Sequence, residues 1–218
     1  MHAKGYKGIG MEGPIARWYA KVTHKDLEDF KALARRMSAG LPDGASVLEV
    51  APGPGYLAIE LAKLGKYRIT GLDISETFVE IARKNAREAG VEIDFRRGNA
   101  SEMPFGDDSF DLIVCRAAFK NFTEPVGALR EMRRVLGPGG RAVIIDLRKD
   151  TPKEEIDTYV ERMGVGKLNS AFIKLTFRTM LLKRAYTKED FERFIAESGF
   201  QKYEIGEAPV GFEITLTK

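Results

Sequence analysis

The sequence predicts an α/β protein: a three-layer sandwich around a mostly parallel seven-stranded sheet, finished by an antiparallel C-terminal hairpin. Three observations lead there. From Val47 to Leu147, short and nearly continuous apolar runs alternate with stretches of helical period, the pattern of parallel strands covered on both faces. The first run, "VLEVAPGPG", breaks into prolines and glycines just before a helical pattern, as a tight strand-to-helix turn requires. The end of the chain, "YEIGEAPVGFEITLTK", holds two β-like runs joined around Pro209 and Gly211, a hairpin signal.

Taken in order, residues from about Gly13 to Ala39 read as helical and contain Trp18, Tyr19 and His24. The runs "SVLEVA", "YRITGLDI", "EIDFRRG", "FDLIVCRA" and "RAVIIDL" read as the parallel strands. Ser75 is placed to cap the helix that Gly90 ends. Thr123 is expected to cap the next, with Pro125 in its first turn and "GPGG" as its stop. Residues from about Thr151 to Arg184 form a helical insertion rich in Met, Phe and Leu. Thr187 and Asp190 approximate a capping box before the last helix, which Gly199 ends. No repeat or linker divides the chain. One unit over 1–218 is expected, with a helical cap at 1–45, a binding core at 46–149, a lid at 151–186 and a closing helix and hairpin at 187–218.

Composition narrows the function classes. The chain of 218 residues carries 35 basic and 32 acidic side chains, well mixed, so nucleic acid is not favoured as a partner. No apolar run is long enough for a membrane span and the N-terminus has no secretory h-region, so a cytoplasmic location is expected. One cysteine, Cys115, and two histidines exclude a disulfide and a His- or Cys-built metal site. Scarce glutamine among abundant Lys, Arg and Glu leans towards a thermophile. Nothing in the sequence decides against a homodimer.

Gly53, Gly55 and Ala58 satisfy G-x-G-x-x-A, which fits NAD, another adenosine cofactor or a bare turn. Asp73 follows Gly53 at the distance from which a strand-2 carboxylate reaches ribose, and serves either cofactor. Glu49 is different. A carboxylate inside strand 1 is costly to bury unless it anchors the loop or meets positive charge, and NAD offers none there. "CRAAFKNF", after strand 4, also lacks a Tyr-x-x-x-Lys hydride-transfer pair.

From Ser46 to Lys149 the chain resembles the class I S-adenosylmethionine (SAM)-dependent methyltransferases, in the group that includes ubiquinone and menaquinone biosynthesis enzymes, with a Rossmann-like fold. "VLEVAPGPG", "GLDIS", "RRGNASEMPFGDDSFDLIVC" and "ALREMRRVLGPGGRAVII" resemble that family's motifs in order. The resemblance implies SAM as cofactor and S-adenosylhomocysteine as product. It implies that Glu49, Ala51, Gly53 and Gly55 surround the methionine part, and that Asp73 holds both ribose hydroxyls while Ile74 packs on adenine. Asn99 would contact the adenine amino edge, Ala100 would offer its N–H, and Arg116 and Ala117 would line the cofactor from below. Ala51 stands where the family commonly has glycine, which alanine tolerates at negative φ. Asn99 replaces the usual Asp, and its amide oxygen can accept from an amino group.

Methyl transfer needs mainly alignment and exclusion of water, and a base only where the acceptor must lose a proton. No catalytic residue is assigned; the substrate-side candidates are Tyr19, His24, Lys120, Asn121 and Asp146. Phe172, Phe177, Met180 and Leu181 in the insertion favour a small, partly apolar acceptor. An NAD-linked oxidoreductase and a non-enzymatic SAM sensor are the alternatives.

Overall fold

Val47, Leu48 and Val50 lose nearly all solvent contact because their strand, β1 (Ser46–Val50), runs through the middle of the sheet. A computed structural model describes residues 5–7, 10–24, 27–162 and 166–218, without the side chains of Arg162, Lys167, Leu168, Asn169, Phe172 and Arg178. The other strands are β2 (Arg68–Asp73), β3 (Asp94–Arg97), β4 (Phe110–Arg116), β5 (Leu136–Leu147), β6 (Lys202–Ala208) and β7 (Gly211–Thr217). Their order is β3-β2-β1-β4-β5-β7-β6. The first five are parallel, and β7 enters antiparallel between β5 and β6. The predicted sheet and hairpin are therefore present.

Helices cover both faces. On one side α2 (Leu27–Ser38), α3 (Tyr56–Ala62) and α4 (Glu76–Ala89) bury Phe30, Met37, Leu57, Leu61 and Val79 against Val47, Leu112 and Val143. On the other, α5 (Pro125–Val135) and α9 (Lys188–Ser198) pack Leu129, Met132, Phe191 and Ile195 on Leu48, Ile113 and Ile144. Cys115 lies within this second core, fully buried. The expected N-terminal stretch is α1 (Gly13–Thr23) followed by α2. The insertion forms α6 (Lys153–Arg162) and α7 (Lys167–Thr176), which runs through a π-helical stretch, Phe177–Leu181, into short α8 (Leu182–Arg184).

Local signals fared unequally. The Ser75 hydroxyl accepts from the Phe78 N–H, Gly90 ends α4 in the left-handed region, and Thr187 and Asp190 make a reciprocal capping box. Thr123 is not a cap. Glu124 takes that position without a side-chain bond, and the Thr123 N–H donates instead to the Gly5 carbonyl at 3.2 Å. "GPGG" does not stop α5 either. Leu136 already pairs with Phe110, and Arg141 resumes against Leu112, so the glycines form an irregularity inside β5.

Candidate active site

The carboxyl ends of β1, β2 and β4 open into a cavity of about 1230 Å³, where ligands bind in open α/β sheets. Its polar floor begins with the turn after β1. Ala51 sits at φ +56°, so the expectation of a negative φ there is wrong. Its N–H donates to the Leu72 carbonyl at 2.7 Å, and this bond between strand ends holds the strained residue in place. Gly55, at φ +80°, initiates α3 and faces away from the cavity: a Cβ there would come within 2.8 Å of the Phe95 ring. Alone among the expected cofactor residues it does not line the cavity; its contribution is helix–sheet packing.

Asp73 ends β2 with both oxygens engaged. Oδ2 accepts from the Gly53 N–H and Oδ1 from the Ser75 N–H, each at 2.9 Å. Burial raises its carboxyl to about 6, against the pull of those two N–H groups. Each oxygen keeps a second lone pair for a ligand hydroxyl. Ile74, Asn99 and Ala100 line the adjoining recess. Asn99 Oδ1 accepts from the Ser101 N–H at 3.1 Å and hydroxyl at 2.9 Å, so Nδ2, a donor, is the group left for a ligand. The reading in which that oxygen meets an amino group is corrected accordingly.

Glu49 is buried on the cavity floor, and its Oε2 has no hydrogen-bond partner. Burial pushes its carboxyl up to about 8, although the Arg116 guanidinium draws it down. Arg116 lies over the Phe30 ring, 4.6 Å from its centre. A buried acid with an unmet oxygen, in a pocket otherwise well satisfied, is the chemistry that receives an ammonium group. With the Asp73 diol acceptor, these residues fit SAM.

Ala117, just past β4, is also left-handed, at φ +58°, and its N–H donates to the Ile145 carbonyl at 2.7 Å. Beneath it, Lys120 is buried with Asp146. Lys120 Nζ reaches Asp146 Oδ1 at 3.0 Å and also the Ala117 carbonyl, while its backbone N–H donates to Asp146 Oδ2 at 2.9 Å. Lys120 lines the cavity whereas Asp146 does not, and the pair fastens the turn that carries Ala117. Tyr19 and Asn121 line the cavity, and Tyr19 meets the Phe78 ring edge-on. His24 is outside it, exposed at the end of α1 with its ring on Tyr56.

Several lining residues were not anticipated. Gly5, ahead of α1, lies over the recess lined by Ile74 and Asn99, so closely that a Cβ on it would stand 2.9 Å from both Asn99 Oδ1 and Ile74 Cδ1. Tyr6, next to it, lines the cavity, and burial raises its hydroxyl pKa. Glu12 anchors this segment by accepting from the N–H groups of Glu76 and Thr77, the first turn of α4. Only the chain reversal places it there, and no local pattern announces it. The outer wall is apolar, built from Ile15 and Trp18 of α1, Tyr159 of α6, and Phe177, Met180 and Leu181. The Phe172 side chain lies outside the described part.

Comparison with known proteins agrees with this geometry. Residues 48–144 match the profile of a methyltransferase domain family. The demethylmenaquinone methyltransferase of Chlorobaculum parvum is 32% identical over 176 residues, 78% of this chain and 70% of that protein. The ubiquinone/menaquinone biosynthesis C-methyltransferase of Shewanella sediminis is 33% identical over 129 residues, 56% of this chain and 51% of that protein. In fold, a Methanococcus maripaludis protein assigned as a SAM-dependent methyltransferase superposes with a TM-score of 0.78 at 24% identity, over 97% of this chain and 95% of that one.

Proposed function

Because the chain belongs to the class I SAM-dependent methyltransferases of the ubiquinone and menaquinone biosynthesis type, we propose that its acceptor is a small hydroxylated aromatic molecule of the quinol class. Neither NAD-linked oxidation nor a purely sensory role finds support among its relatives. The observation that carries the acceptor reading is the apolar chamber continuous with the polar cofactor floor, walled by Trp18, Tyr159, Phe177 and Met180. Such a wall takes a flat apolar ring, and relatives named for demethylmenaquinone point to the same chemistry.

SAM supplies an electrophilic methyl group on a sulfonium, with a neutral thioether as leaving group. Asp73 holds the ribose hydroxyls, and Glu49 pairs with the ammonium of the methionine part. Asn99 Nδ2 and the Ala100 N–H would be the donors for the adenine, while Ala51 and Ala117, both left-handed, would shape the backbone on the methionine side. Arg184 and Tyr6 face the chamber, and both can donate to an acceptor oxygen. That contact lowers the pKa of the acceptor hydroxyl, whose proton passes to solvent water before the chamber closes, and the resulting phenolate ring is more nucleophilic. Lys120 and Asp146 are committed to one another, so neither is the base; α1 and α6–α7 exclude water. We place this reaction in the cytoplasm.

Methyl-labelled SAM offered with hydroquinones, catechols, amines and thiols tests the reading. Label is expected on the hydroquinones. Transfer to amines or thiols alone would overturn the acceptor class while leaving the methyltransferase intact.

A further inference from the structure

The mouth of the cavity has an unusual surface. Among the described residues, the exposed large hydrophobic side chains are Ile15, Trp18, Val22, Tyr159, Leu175, Met180 and Tyr203. All but Tyr203 belong to α1 or to the α6–α7 lid and its π-helical extension. Ile15, Trp18 and Val22 recur at helical spacing on one face of α1, and Trp18 is 62% exposed. Leu175, 58% exposed, is not part of the cavity wall and faces outward.

Charge is one-sided on α1 and on the stretch from α7 through α8, whereas α6 carries Glu154, Glu155, Asp157 and Glu161 and is not part of the basic rim. Neither α1 nor the stretch from α7 through α8 contains an Asp or Glu, in a chain whose 35 basic and 32 acidic residues nearly balance. Arg17, Lys21 and Lys183 are exposed, and none makes an ion pair among the described residues. Lys174 is tied to Asp157 and Glu161 of α6. Glu12, the nearest acid before α1, is spent on the start of α4.

We infer that the rim formed by α1 and the α7–α8 segment docks on an anionic lipid surface, with Trp18 and Leu175 entering the headgroup region and Arg17, Lys21 and Lys183 meeting its negative charge. Apolar side chains interleaved with unpaired cations are the composition of interfacial helices, and tryptophan favours that boundary. No helix among the described residues is long and apolar enough to cross a membrane, so contact is from one side. The docked rim opens the chamber towards the lipid. Docking stands apart from the acceptor assignment, since it is read without methyl transfer.

Trp18 is the only tryptophan in the chain, so its fluorescence reports this surface directly. The full chain should sediment with phosphatidylglycerol vesicles and not with phosphatidylcholine vesicles. Its emission should move to the blue and be quenched by lipids brominated near the headgroup. Arg17→Glu/Lys21→Glu should reduce vesicle partitioning about tenfold or more, each lost cation costing several-fold. Leu175→Glu should also weaken binding, while leaving SAM binding unchanged. Unchanged emission with protein left in the supernatant would overturn the proposal. So would sedimentation without quenching, which places the contact elsewhere. A blue shift without lipid would also overturn it: with protein concentration it marks the rim as an interface between copies, and with S-adenosylhomocysteine it marks closure of α1 on the lid.

Discussion

The Asp73 carboxylate and the Gly53 N–H, twenty residues apart, are joined by a 2.9 Å hydrogen bond that ties the end of β2 to the turn after β1. One side chain thus fixes the turn after β1 and, in the proposed reading, would also accept from the ribose hydroxyls. Asp73→Ala should weaken S-adenosylhomocysteine by two orders of magnitude or more, since each hydrogen bond to a charged acceptor contributes about 1.5–3 kcal/mol. Asp73→Asn should lose less, because it keeps one acceptor oxygen. Calorimetric titration measures both, and wild-type affinity in the alanine variant would move the ribose elsewhere.

Glu49 makes binding depend on pH. Its folded pKa, about 8, lies above the ordinary 4.5. The stability this contributes to the ligand-free protein is present below pH 4.5 and is lost as pH rises through about 8. Asp73, raised to about 6, acts in the same direction over a lower window. Melting temperature of the empty protein should therefore fall between pH 5 and 8.5, and less so in Glu49→Gln. A cationic cofactor needs Glu49 ionised, so SAM affinity should rise from pH 6 to 8 with release of a proton. Titration in buffers of different ionisation enthalpy detects that proton; a flat profile would argue against the pairing.

Lys120 and Asp146 form a buried ion pair below the cavity floor. Removing one partner strands the other, at a cost of about 3–5 kcal/mol. Lys120→Met should lower stability by that amount in denaturant unfolding. Lys120→Met/Asp146→Leu should recover much of the loss, though not cofactor affinity, because Ala117 loses the brace on its carbonyl.

Ala51 holds a left-handed backbone that costs an L-residue roughly 1–2 kcal/mol. Glycine removes that strain and adds about 0.5–1 kcal/mol of unfolded-state entropy. Ala51→Gly should be neutral to stabilising by up to about 1.5 kcal/mol, whereas β-branched Ala51→Val should destabilise. Chemical denaturation of the pair distinguishes backbone strain from packing, since a packing role would make glycine the worse of the two.

The legible part of the molecule was its local chemistry. Alternating apolar runs, the Ser75 and Thr187 caps and the Gly90 and Gly199 stops are settled by a few neighbouring residues, and each stands in the structure. Thr123 failed as a cap because α5 begins at Pro125, which puts Glu124 in the cap position, while the Thr123 N–H donates to the Gly5 carbonyl. The glycines after Leu136 failed as a stop because pairing with Phe110 draws the chain into the sheet. At the site, Glu49 stands out because a buried carboxylate on a strand demands a reason, and Asp73 by its spacing from Gly53; both prove buried and line the cavity. Gly5, Tyr6 and Glu12 do not, since they belong to no regular element and leave no periodic trace.

Among the described residues, the lid has its own core of buried Ile156, Val160, Phe177 and Leu182, distinct from the clusters on the two faces of the sheet. A satellite core set apart from the sheet makes a separate cooperative unit, and such units open at free energies well below that of the whole fold. In native-state hydrogen exchange, amides of α6 and α7 should exchange orders of magnitude faster than those of β1 and β4, and slow when the chamber is filled. Breathing of this kind would let the proposed ring acceptor enter and its methylated product leave while the sheet, whose strand ends form the cavity floor, stays folded throughout.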